Sequence, residues 1–405
     1  MNTRAAAVAA SLALTLPLAA CGENAAAGDA ATSGPIKLGV FASLTGPASA
    51  TFKATPAAAE ARIKAYEASG GECADRGFEV VEADDTSTTE GALKAAQKLV
   101  QQDKVFAVLH SSSFFYGASQ YLTTQASGTP VFGGGFDGAP EYNDVESNLF
   151  GVLPPLGDYS ATYSLAGDYY KSRGVSKIAM VAYDSPSAAN GLDQTKRSAE
   201  AAGLEIGYYN KAVPFGTTDV GPIVQGIIES GADGLYGAMN PETTFGIVGG
   251  LRQAGYDMKM ILLATGYGAD LLKSEPAVQA AQGVTFSIGW RPSELGGDAV
   301  EAQSEALKEY AGSESGVPSF SEAMGWMTAD MFLYALEKAG CDASQQEVID
   351  ALRDDDGWDA GGLMAPPRDF GSAEADEQCS YYLTLEDHAF VPEEDASPAC
   401  GGLIE

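Results

Sequence analysis

The chain reads as an α/β protein made of two doubly wound parallel-sheet lobes joined by three hinge crossings. Short apolar runs alternate with amphipathic helical stretches, the pattern of a parallel sheet covered on both faces. The alternation runs through twice, with a break at Pro154-Pro155. The length, 405 residues, exceeds what one hydrophobic core usually organises.

In the first series, residues 36–42 are an apolar run that predicts a buried strand, 56–69 predict a helix ended by Gly70-Gly71, and 78–83 a second strand. Ser87-Thr88-Thr89-Glu90 has the form of a capping box. Behind it Ala92, Leu93, Ala96, Leu99 and Val100 fall on one helical face. A third strand at 106–110, a helix at 115–126 and a fourth strand from 130 complete the unit.

The second series gives strands at 177–183, 204–209, 234–238 and 260–263, with helices at 188–202, 220–230 and 243–254 between them. The tail turns helical at 298–310, 321–339 and 345–353, before two short strands near Tyr381 and Phe390. Helices of that length must pack on a core. The simplest path returns the chain to the first lobe, with crossings near 152–156, 288–292 and 366–371. Lobe 1 is then 36–153 with 291–367, and lobe 2 is 154–290 with 368–405, including the C-terminal strands.

The first twenty residues carry Arg4, a run of small and apolar residues, and then Leu18-Ala19-Ala20-Cys21. The run is too short to span a bilayer comfortably and ends in small residues, as a cleaved secretory signal peptide (1–20) does. Leu-Ala-Ala-Cys resembles the lipobox of bacterial lipoproteins, which implies acylation of Cys21 and a lipid anchor in the membrane. An ordinary signal peptide cut nearby is the alternative. Residues 21–35, rich in Ala and Gly, suit a flexible tether.

Acidic residues outnumber basic ones 55 to 23, for a net charge of −32. A surface so negative repels nucleic acid and anionic lipid, so neither is an expected partner. Beyond Cys21 the cysteines are Cys73, Cys341, Cys379 and Cys400, an even number in a chain with an export signal, which points to disulfides. Three pairings are open, and the short separation of Cys379 and Cys400 favours that pair, with Cys73 and Cys341 either paired or free. A metal site is the alternative, but the spacings match no zinc pattern and the histidines are only His110 and His388. No metal or other cofactor is expected.

Ile-Lys-Leu-Gly-Val from residue 36, Ser43-Leu44-Thr45-Gly46-Pro47, Gly70-Gly71, Glu82-Ala83-Asp84-Asp85, the run 103–108 and Ser111-Ser112-Ser113 follow in order. Their order and spacing resemble the type I periplasmic binding proteins, in the branched-chain amino-acid or amide-binding group that feeds ABC transporters. The resemblance covers residues 36–395 and rests on the ordered set rather than on any one motif. It implies two lobes that close over a small polar organic ligand, amino-acid-like or amide-like, and deliver it to an ABC permease in the membrane; the protein is expected to be a monomer. Open parallel sheets independently place ligands beyond the carboxyl ends of their strands.

Ser111, Ser112 and Ser113 follow the third strand, and the resemblance implies that this run grips a ligand carboxylate; a plain helix cap is the alternative. The loop Gly133-Gly134-Gly135-Phe136-Asp137-Gly138 lies after the fourth strand. There Phe136 could stack and Asp137 could accept a donor, unless the loop is only a glycine turn. The family's tyrosine, aromatic and acid for an ammonium fall here near Ala188, at Met239 or Asn240, and at Thr265, none of them an acid or tyrosine. Tyr183, Ser187, Asn240, Thr265 and Tyr267 are therefore the expected ligand neighbours in lobe 2. Trp290, at the second crossing, either covers the pocket or packs; Trp326 reads as core.

An enzyme is the competing class, and the chain is not expected to be one. It has no Gly-x-Ser-x-Gly elbow and no phosphate loop, and adjacent residues such as His110 and Ser111 rarely form base and nucleophile. A ligand-binding sensor lipoprotein without a transporter is the third class, which neighbouring permease genes would discriminate.

Overall fold

The computed structural model describes residues 34–153, 161–372, 375–393 and 397–404. The expected signal peptide, Cys21 and most of the expected tether lie outside the described residues, as does much of the first expected crossing. Strands are numbered in chain order. The first sheet holds β1 (Ile36–Ala42), β2 (Phe78–Asp84), β3 (Ala107–Ser111), β4 (Val131–Gly133) and β5 (Leu149–Gly151), in the spatial order β2-β1-β3-β4-β5. All of its pairings are parallel. The reversal at β1/β3 is the kind of switch point where doubly wound sheets open a crevice.

The second sheet holds β6 (Thr162–Tyr163), β7 (Lys177–Tyr183), β8 (Glu205–Val213), β9 (Gly234–Ala238), β10 (Met260–Leu263) and β11 (Thr285–Ile288). It continues with β12 (Glu377–Glu386), β13 (Ala389–Pro392) and β14 (Ala399–Ile404). Its order is β6-β14-β12-β11-β10-β9-β7-β8, with β13 paired to β12. From β11 to β8 the neighbours are parallel, whereas β12, β13, β14 and β6 join antiparallel. The C-terminal strands thus extend an otherwise parallel sheet. The tail expected to carry two short strands carries three.

After β11 the chain passes through Gly289 and Trp290 to the helices Asp298–Tyr310, Phe320–Ala339 and Gln345–Arg353. The first two pack on helix Thr55–Ala68, and Phe320–Ala339 also lies against β3 and β4. Helix Phe320–Ala339 is buried almost all round, as an apolar sequence on every face requires. Gly325 lets it approach the Thr55 carbonyl, where any Cβ would collide. Trp358 Nε1 and Arg62 Nε both donate to Asp330, at 2.9 and 2.8 Å, so the charge inside this packing is matched. Arg291 N donates to Leu363 O at 2.7 Å, which ties the outgoing crossing to the segment that leads into the returning one.

Two disulfides are present, Cys73–Cys341 and Cys379–Cys400. The capping box expected at Ser87 is not formed. Thr88 is the N-cap of helix Thr89–Gln97, while Ser87 sits at φ 56° and donates to Thr45 O at 2.8 Å. Asp85 holds that turn by accepting Ser87 N at 2.8 Å, which leaves Glu90 free to pair with Lys94.

Candidate binding cavity

A cavity of about 750 Å³ lies beyond the carboxyl ends of both sheets' strands and reaches the two described crossings. The first sheet and its returning helix give Phe52, Ser113, Phe136 and Phe320; the second sheet gives Tyr183, Ser187, Asn240 and Thr265; the crossings give Trp290 and Arg368. Phe52 and Phe136 stack with centroids 6.0 Å apart, and Phe320 meets them edge-on at 6.1 and 5.1 Å. Trp290 lies 6.0 Å from Phe320. Four rings therefore make one continuous apolar wall, which suits a flat or branched hydrocarbon body.

Most polar side chains on the opposite wall are already engaged. Thr265 Oγ1 donates to Met239 O, Ser187 Oγ to Phe136 O, and the Tyr183 hydroxyl accepts Asn240 N–H. Tyr183 also stacks on Phe215 at 3.8 Å, and Phe215 touches Phe114 of the first-sheet side at 5.3 Å. Together with the Ser187–Phe136 bond, this contact closes the edge of the cleft from both sides.

Of the expected ligand neighbours, Ser113, Phe136, Tyr183, Ser187, Asn240 and Thr265 border the cavity, and Ser111, Ser112, Asp137 and Tyr267 do not. The third strand ends one position later than expected, so Ser111 lies within β3 rather than after it. Ser111 is fully buried with its hydroxyl unpartnered. Ser112 donates to Asp85 and accepts Phe114 N at 3.0 Å, so it braces the loop. No serine of the run is an N-cap, since helix Tyr116–Thr124 starts from Phe115.

Asp137 is fully buried and accepts Ala139 N at 3.1 Å; burial pushes its carboxyl up to about 7. The Tyr267 hydroxyl donates to Glu294 at 2.8 Å and accepts Ser293 N at 3.0 Å, and its ring packs on Phe390. Trp290, which sequence left between covering and packing, borders the cavity. Trp326 is buried, with Arg62 5.4 Å from its ring.

His110 stacks on Phe115 with centroids 3.7 Å apart, lies 5.3 Å from Phe41, and shares a 2.6 Å bond from Nε2 with Tyr142; burial pushes it down to about 3. The Ser111 hydroxyl has no partner, so no His110–Ser111 pair is assembled. Phe52, Phe320 and Arg368 border the cavity without having been anticipated. No local motif marks them, because they reach it only through the packing of distant segments.

Residues 35–389 match the family model described as Periplasmic binding protein. No curated protein matches the chain by sequence comparison. Among solved structures, a branched chain amino acid ABC transporter protein from Thermus thermophilus with bound valine matches with TM-score 0.74 and 18% identity, over 90% of this chain and 97% of that one. A solute binding protein of an R. palustris ABC transporter in complex with benzoate also gives TM-score 0.74, with 17% identity over 90% and 97%. A fatty acid ABC transporter substrate-binding protein from Thermomonospora curvata gives TM-score 0.71, with 20% identity over 92% and 93%. At these identities the likeness establishes the type I periplasmic binding fold.

Proposed function

The chain belongs to the periplasmic binding protein family, and on that premise we propose that it captures a small organic solute with an apolar or aromatic body and delivers it to an ABC importer. The solute lies between two closing lobes, 36–153 with 291–367 and 154–290 with 368–405. The observation that carries this reading is the wall of Phe52, Phe136, Phe320 and Trp290 along one side of a 750 Å³ cavity. Relatives of the same fold are named for valine, benzoate and fatty acid, so the fold accommodates solutes of this kind.

A free amino acid fits less well. Its ammonium needs a carboxylate, and the acids that border the cavity, Asp369, Asp376 and Glu377, are exposed at its rim. Asp137, the one acid expected to serve, is turned into its own loop. Leaving a buried ammonium unpaired costs about 3–5 kcal/mol, or roughly two to four decades of affinity. A calorimetric screen should find leucine and valine weak or silent and at least one aromatic or branched-chain organic solute binding at micromolar or lower concentration. Micromolar leucine binding unaffected by Asp137→Ala would refute the solute class.

The protein acts outside the cytoplasm as a monomer, held to the membrane by lipid on Cys21. No helix among the described residues is long and apolar enough to cross a membrane. Labelling with a palmitate analogue should disappear in Cys21→Ser; label that persists contradicts the anchor.

A further inference from the structure

Arg368 is the only buried charged residue among the described residues that border the cavity. It is 7% exposed. Its one side-chain hydrogen bond runs from Nε to Gly151 O at 3.3 Å, and its guanidinium lies 5.3 Å from the Phe370 ring. Neither partner is an anion, and the ion pairs of the described residues do not include it. The neighbouring Asp369 carboxylate is exposed and accepts the Gly371 N–H at 2.8 Å.

A guanidinium out of water with no anion in contact is costly, which is why buried charges are paired or coordinated; the exposed Asp369 carboxylate acts on it only through space. Desolvation lowers the group to about 10, so it stays charged at physiological pH. Besides the large cavity it borders a void of about 20 Å³, enough for one water and for no organic anion. Its backbone is pinned by the Arg368 N to Trp358 O bond at 2.7 Å, so the side chain is presented from a fixed base at the returning crossing.

We propose that Arg368 is the anion-recognising residue of the cavity and that the solute is a monocarboxylate, its acid group paired with the guanidinium and its apolar body laid on the ring wall. The inference rests on the solute-binding reading above and narrows it to organic acids. Arg presents a planar fork of donors that matches a carboxylate in two parallel hydrogen bonds. The position that carries the charge is then the crossing, not the serine run after β3, two of whose members, Ser111 and Ser112, do not border the cavity.

The test uses matched pairs: benzoate and benzamide, 4-hydroxybenzoate and its amide, phenylacetate and its amide, isovalerate and isovaleramide. Each is titrated calorimetrically into wild type, Arg368→Met and Arg368→Lys. At least one acid should bind wild type roughly tenfold to a hundredfold tighter than its amide, the worth of a charge-assisted contact. Arg368→Met should abolish that preference while the amide keeps its affinity. Arg368→Lys retains the charge without the fork, should fall between, and serves where circular dichroism finds the methionine variant unfolded. Amides that bind as well as their acids in wild type, or an acid preference that survives substitution, would overturn the anion site and leave the solute-binding cleft standing. A panel in which neither acids nor amides bind wild type would overturn both.

Discussion

The carboxyl of Asp137 sits beside the cleft without entering it, in a loop whose Phe136 carbonyl accepts the hydroxyl of Ser187 from the facing lobe. Burial raises it to about 7, with Glu141 adding to the same direction, so in the folded state it holds a proton that the unfolded chain releases near 4. A raised carboxyl contributes stability below its unfolded value and loses it as pH climbs through the folded one. His110 runs the other way: at about 3 it stays neutral while the unfolded imidazole protonates below about 6.5, so stability falls on acidification through that window. Between about pH 4 and 6.5 the two slopes oppose each other. Asp137→Asn, which removes the first alone, should gain stability relative to wild type by roughly 2–4 kcal/mol between pH 4 and pH 8. Urea unfolding at both values checks this, and an offset that does not change with pH would contradict it.

Asp137 looked like a ligand acceptor because it follows a glycine loop at a strand end, but whether an acid faces a cleft or its own backbone depends on the turn. The serine run failed by one position: with β3 ending at Ser111, that side chain shares a face with Ala107 and Leu109 against the core. Arg368 had no local signal, since its burial comes from the meeting of β5, the crossing and Phe370.

Among elements, strands announced by unbroken apolar runs were legible to the residue: β1, β7, β9 and β10 have the bounds the sequence predicts. So do helices Asp298–Tyr310 and Gln345–Arg353, the latter started by a Ser344–Glu347 capping box. Strands β5, β6, β11 and β14 were not read. They are short, and β14 carries Gly401-Gly402, so neither alternation nor an apolar run marks it; it exists because β12 offers an edge and Cys400 pairs with Cys379. The two disulfides should differ in weight. Cys379–Cys400 spans 21 residues and Cys73–Cys341 spans 268, which the chain-entropy account values at about 3 and about 5–6 kcal/mol. The double variant Cys73→Ser/Cys341→Ser should therefore lose more stability in chemical denaturation than Cys379→Ser/Cys400→Ser. The reverse order would mean that the short clasp holds structure the long one does not.

At the scale of the whole molecule, acidic residues outnumber basic ones 55 to 23, while the cavity has one ring-lined wall, a wall of neutral polar groups and, among the described residues, a single buried charge, Arg368. Net charge thus says little about the solute. What the two lobes do together is the central claim. Phe114 meets Phe215 and Ser187 meets Phe136 across the cleft; on the proposed reading, a solute touching both walls favours a closed arrangement by its difference in affinity for the closed and open forms. Small-angle scattering on the protein, alone and saturated with the tightest solute from the calorimetric screen, measures this directly. The radius of gyration should fall on saturation as the open population closes. A radius that stays the same while calorimetry reports full occupancy would contradict capture by closure.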